Sequence, residues 1–152
     1  MNSLVPNTWQ HILITYDGGT TGPQQNELSD YYDRFNIYID GALQTLTKSH
    51  TNNGFVGSIN DDYFRLGRSA GTAYMRGSRV DELALWDSDQ SANISDIYNS
   101  GSTQDLSLLT PAPNHWWRMG DGDTYPTLQD NVGSVDITMN NMTVEDIVTD
   151  AP

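Results

Sequence analysis

The chain has 152 residues, a formal charge of −13 and no cysteine. That length suits one domain with a single sizeable core, and the lack of cysteine excludes disulfides and thiolate metal sites. A surface so acidic, with Lys48 its one lysine, repels phosphate backbones and excludes nucleic acid as a partner; it is compatible with divalent cations or with plain solubility. Tyr, Trp, Phe, Thr, Val and Ile are plentiful, Gly and Asn are frequent, and no long amphipathic helix is visible, so the composition predicts an all-β sandwich. No apolar run approaches membrane-spanning length, and the opening M-N-S-L-V-P-N lacks the basic and apolar regions of a signal peptide. Neither membrane insertion nor a secretion leader is expected.

In chain order, Trp9–Tyr16 alternates, with Ile12, Ile14 and Tyr16 on one face and His11, Leu13 and Thr15 on the other. Asp17-Gly18-Gly19 then turns the chain, which predicts the end of a strand. Residues 18–34, rich in Gly, Gln, Asn, Asp and Tyr, predict a long exposed loop. Phe35–Asp40 alternates again, Asp40-Gly41 is a hairpin turn signal, and Ala42–Leu46 is the expected return strand. Tyr63–Gly67 predicts a further short strand. Val80–Trp86 predicts another, followed by a helical turn that starts near Asn93 and ends at Gly101. From His115 to Thr143 the chain offers an aromatic strand, an acidic turn, Asp130-x-x-Gly133 and a last short strand.

Four of these segments carry a family resemblance. They are W-x-H-[IV]-x-[IV]-T-Y-D-G at Trp9–Gly18, [IL]-Y-[IV]-D-G at Ile37–Gly41, Y-F-R-L-G at Tyr63–Gly67, and V-D-E-L-A-L-W at Val80–Trp86 with its following helix to Tyr98. In order and spacing they resemble laminin G-like and pentraxin-like domains across residues 9–98. The resemblance implies an all-β, concanavalin A-like β-sandwich (a jelly roll) with one short helix. Such modules serve binding and assembly more often than catalysis. In the family the W-x-H strand lies near the middle of the domain, whereas here it begins at residue 9. His115–Thr143 resembles the segment that usually opens such domains, so a permuted or strand-exchanged sandwich is expected. Residues 1–110 would supply the sandwich strands and short helix, and residues 111–152 the strands that complete it or contact a neighbouring subunit.

Catalytic patterns are sparse. Asp81 and Glu82 are adjacent, and on a strand their side chains point to opposite faces, which prevents joint acid–base work. The E-x-D-x-x-E pattern of laminarinase-type enzymes with a related sandwich is missing, as is a G-x-S-x-G elbow. His11, His50 and His115 are isolated in sequence, and His11 reads as structural. The protein is therefore expected not to be an enzyme. The segment Arg68-Ser69-Ala70-Gly71 carries no carboxylate where pentraxins place calcium ligands. Asp121, Asp123 and Asp130 offer hard oxygen ligands at loop spacing, so calcium is the cofactor this pattern admits, against the alternative that the Asp-Gly pairs simply make turns. Tyr31, Tyr32, Tyr74 and Tyr125 are the candidate glycan platform, because a sugar ring stacks on an aromatic face. Trp86, Trp116 and Trp117 read as core or interface residues.

The run W-W-R-M-G-D-G-D-T-Y-P-T-L-Q-D-N-V-G and the ending N-M-T-V-E-D-I-V-T-D-A-P are similar to laminin G-like proteins of marine bacteriophages. That resemblance implies a non-enzymatic virion structural protein, a capsid decoration or appendage subunit at the particle surface. A cysteine-free chain also suits a microbial or viral protein better than a small extracellular animal domain. The expected partners are other virion proteins, further copies of the chain in a homo-oligomer, and host surface glycans. The alternative is a free-standing carbohydrate-binding, lectin-like module with calcium.

Overall fold

The structure, a computed structural model, describes residues 4–16, 35–47 and 77–148. Strands β1 (Ile12–Tyr16), β2 (Phe35–Ile39) and β3 (Ala42–Leu43) form one antiparallel sheet in that order. Ile12 lies opposite Ile39, Ile14 opposite Ile37 and Tyr16 opposite Phe35, so both strands present apolar side chains on one face. The turn between β2 and β3 follows its residues: Asp40 and Gly41 both have positive φ, 50° and 75°, which a two-residue hairpin of this hand requires. The return strand stops at Leu43, short of the expected Leu46. Gln44 N still donates to Ile37 O at 2.8 Å, so one ladder bond continues past it.

The alternation was legible, but its inner side was not. The face bearing Ile12 and Ile14 is open, with those residues 50% and 60% exposed, and Tyr16 and Phe35 stack beside them at 4.7 Å between ring centroids. The opposite face buries Thr15, 5% exposed, and sets the His11 ring 5.6 Å from that of Tyr98. Tyr98 also explains Gly41, since a Cβ there would lie 2.8 Å from the tyrosine ring in addition to the positive φ.

Tyr98 closes helix α1 (Ile94–Tyr98), whose Ile97 is buried. Asn99 follows at φ 45°, in the left-handed region that ends helices. Gln104 reaches back and donates its Nε2 to the carbonyls of Asp96 and Ile97, so two otherwise orphaned acceptors of the last turn are satisfied. Asp105 then caps a 3-10 turn, Leu106–Leu108, by accepting from Ser107 N at 3.0 Å, and Leu106 is buried beneath it.

Strand β4 (Leu83–Leu85) is shorter than the expected Val80–Trp86. Its partner is β5 (His115–Trp117), paired antiparallel with Leu83 opposite Trp117 and Leu85 opposite His115. The C-terminal segment therefore hydrogen-bonds directly to a strand from the first 110 residues. Strands β6 (Thr127–Leu128) and β7 (Ile137–Thr138) form a further antiparallel pair. Trp117, Leu128 and Met139 make the core, packed by Leu83, Met119, Ile137 and Ile147. The Trp117 ring is 3% exposed and its Nε1 donates to Val135 O at 2.8 Å, which satisfies the one polar atom that burial would strand.

The loop between β6 and β7 is closed tightly over β5. Asn131 N donates to Trp116 O at 2.7 Å, and a Cβ on Gly133 would fall 2.5 Å from both Asp130 Oδ2 and His115 Nδ1. The expected strand Tyr63–Gly67 and the expected loop 18–34 lie outside the described residues.

Gly133→Ala should destabilise the fold by about 3 kcal/mol or more, because a close-packed polar site has no room to relax. Urea denaturation checks this; a loss below about 1 kcal/mol would show that the loop shifts freely.

Candidate functional site

A cleft of about 470 Å³ opens beside β5, within the roughly 300–1,000 Å³ typical of ligand pockets. Thr103, Gln104, Asp105 and Ser107 contribute from the loop after α1, and Trp116, Arg118 and Asn131 from β5 and the segments following it. The cleft arises because β5 is covered on both faces. Trp117 goes into the core, and Trp116, its neighbour in an alternating strand, points the other way yet is only 5% exposed.

Behind the cleft lies a charged network. Trp116 Nε1 donates to Glu82 Oε2 at 2.6 Å, and Arg118 Nε donates to Glu82 Oε1 at 3.3 Å. The other arm of the guanidinium, Nη2, donates to Asp121 Oδ2 at 2.7 Å, and Arg118 lies over the Trp116 ring, 5.5 Å from its centroid. Burial raises the pKa of Glu82, and the bonds from Trp116 and Arg118 oppose that shift. Glu82 has φ 52°, a left-handed conformation that costs a non-glycine residue about 1–2 kcal/mol. The two donors that hold its carboxylate offset the strain, and strain of this kind gathers at functional sites.

That geometry corrects the expectation for Asp81 and Glu82. Strand alternation does not reach them, because β4 starts at Leu83 and Glu82 is left-handed. Asp81 keeps one buried oxygen, Oδ2, without a hydrogen-bond partner. Burial also raises its pKa, with the Asp121 charge adding to the shift and the Arg118 charge opposing it.

The three carboxylates read as cation ligands have other partners. Asp121 pairs with Arg118, and Asp123 accepts from Gly120 N at 2.8 Å and Gln129 N at 2.7 Å. Asp130 is fully enclosed, with 0% side-chain exposure. It accepts from Trp116 N, Val132 N and Gly133 N on Oδ1, and from His115 Nδ1 and Val135 N on Oδ2, at 2.6–3.2 Å. Among the described residues no group of three or more His, Cys, Asp or Glu is placed to hold a metal ion. Asp123 is thus held by backbone donors, Asp130 by backbone donors and His115, and Asp121 by Arg118.

His115, isolated in sequence, is not isolated in space: its ring bonds to Asp130 at 2.6 Å and stacks 5.6 Å from Trp117. His11 Nδ1 is buried without a partner, and burial lowers its pKa against the opposing Asp40 charge. Of the four candidate platform tyrosines, Tyr31, Tyr32 and Tyr74 lie outside the described residues, as does His50. Tyr125 is 41% exposed and donates its hydroxyl to Met142 O at 3.1 Å, but it does not border the cleft. The cleft residues are hard to see in the sequence because they come from segments far apart in the chain. The one local signal is the polar run Thr103-Gln104-Asp105-Leu106-Ser107, followed by Trp116-Trp117-Arg118.

Among the described residues, short antiparallel strands in small sheets with one short helix are consistent with a β-sandwich of the concanavalin A-like class. The laminin G-type family model described as the concanavalin A-like lectin/glucanases superfamily matches residues 1–95, and the chain belongs to that family. No curated protein and no solved structure gives a significant match. Glu82 lies inside the matched span, whereas the cleft-lining residues lie beyond it.

The Asp130 site also makes a pH prediction. Burial alone would raise the Asp130 pKa, but the bonds from His115, Trp116, Gly133 and Val135 outweigh it and hold the carboxyl below the usual range. A carboxylate whose folded pKa is depressed contributes stability above its unfolded pKa, about 3.9, and loses that contribution as pH falls below it. Wild type minus Asp130→Asn, compared by urea denaturation from pH 7 to pH 3, should show a stability difference that is full above about pH 5 and shrinks toward pH 3. A constant difference across that window would contradict it.

Proposed function

We propose that the chain is a non-enzymatic, carbohydrate-binding module, with the cleft at Trp116 as its binding site. The observation that carries this reading is a ligand-sized cleft combining an aromatic ring with amides, hydroxyls and a guanidinium. Saccharides present a dense set of hydroxyls, and the amides, hydroxyls and carboxylate of the lining can pair with them, with the largely buried Trp116 forming part of the cleft wall. Membership of a lectin/glucanase superfamily supports the same reading.

Binding to a glycan array, followed by calorimetry on the best ligand with and without chelator, tests the reading. Gln104→Ala removes a lining amide and should weaken binding by about tenfold, on the scale of one lost hydrogen bond. Circular dichroism establishes that the variant remains folded. Failure to bind any glycan would remove this function.

The open face of the hairpin sheet favours a second reading, in which the module docks on a larger assembly. Ile12, Ile14, Tyr16 and Phe35 are exposed together on that face, and contiguous exposed apolar patches mark interaction sites. The assembly implied by the C-terminal resemblance is a virion, with the chain a decoration or appendage subunit, present as an oligomer, that presents its cleft to host glycans. Mass spectrometry of purified particles should then find the chain at a fixed copy number. Its absence from particles would sink this second reading and leave the first intact.

A further inference from the structure

Resting on the glycan-binding reading of the cleft, we infer that the site selects neutral saccharides and rejects uronic, sialylated or sulfated ones. Several side chains of the lining have their donors already committed to the protein. Gln104 donates its Nε2 to the carbonyls of Asp96 and Ile97, and Asn131 donates its Nδ2 to Trp116 O at 3.3 Å and Gln129 O at 3.1 Å. Backbone carbonyls only accept, so these bonds fix both amide orientations and leave Gln104 Oε1 and Asn131 Oδ1 as acceptors. Ser107 donates its hydroxyl hydrogen to Asp105 Oδ1 at 2.5 Å, which leaves the hydroxyl lone pairs and Asp105 Oδ2 as further acceptors.

An acceptor-rich lining suits a ligand that donates from many hydroxyls. A carboxylate or sulfate ligand supplies more acceptors and would leave both sides unpaired.

The charges point the same way. Among the described residues Arg118 is the one cation lining the cleft, and its Nε and Nη2 are bonded to carboxylates, Glu82 and Asp121. Among the described residues, Asp105 in the lining with Glu82 and Asp121 behind it sets three carboxylates around one guanidinium. Two of the guanidinium's donors are thus committed to carboxylates, and its charge is offset where it covers Trp116. An anionic sugar meets local repulsion as well as the field of a chain carrying −13.

The test compares neutral disaccharides with their uronate and sulfated counterparts on an array and by calorimetry, at 0.15 M and 0.5 M NaCl. A preference for neutral sugars of about tenfold or more that persists at the higher salt is expected, because short-range pairing in the cleft is screened less than the overall field. Asp121→Asn, which removes one of the carboxylate charges paired with Arg118, should narrow that preference severalfold. Equal or tighter binding of anionic sugars, or a preference that vanishes at 0.5 M NaCl, would overturn the inference while leaving glycan binding standing. Binding of no glycan at all would overturn the functional reading beneath it.

Discussion

The carboxylate of Asp130 is the point on which the described structure turns. It accepts from four backbone amides and from His115, and it is completely enclosed. A buried charge is tolerated only when its hydrogen-bonding capacity is filled, and here five donors fill it. The donors come from both β5 and the loop before β7, so the carboxylate fastens one to the other. With β5 fastened, alternation sends Trp117 into the core against Leu128 and Met139 and sends Trp116 toward the cleft. Core and site are therefore two faces of one three-residue strand.

This arrangement explains why the site extends beyond the family-matched span. Residues 1–95 carry the family pattern and contribute Glu82, which holds Trp116 and Arg118 from behind. The cleft surfaces come from residues 103–131. Glu82 takes a strained conformation and a raised pKa in order to serve residues some thirty-five positions later. A carboxylate that looked like half of an adjacent acidic pair is instead a positioning residue for an aromatic ring and its guanidinium cover.

Several features were legible because their cause is local. Asp40-Gly41 requires positive φ at both residues, and two flanking alternating runs leave little but a hairpin. Asn99 to Gly101 ends the short helix where the sequence placed its end. The alternation of Trp9–Tyr16 was equally plain, but its buried side was not. Apolar residues at Ile12 and Ile14 face outward in the described structure, while the less obvious Thr15 is buried. Which face a strand buries depends on what packs against it, and that is settled by distant segments.

The amino-acid sequence by itself determined the fold class and the family, because strand alternation, turn chemistry and motif order are short-range properties. It also determined that the chain is acidic and free of cysteine, which limits its partners through charge and thiol chemistry alone. Only the tertiary structure decided what the acidic residues do. Asp121, Asp123 and Asp130 have the spacing of oxygen ligands, yet a salt bridge, a turn and an enclosed hydrogen-bond hub occupy them in that order. A carboxylate's role is set by which donors come within about 3 Å of it. Asp130 draws two of its donors from β5, fourteen and fifteen residues earlier, and Glu82 draws both of its own from residues more than thirty positions later.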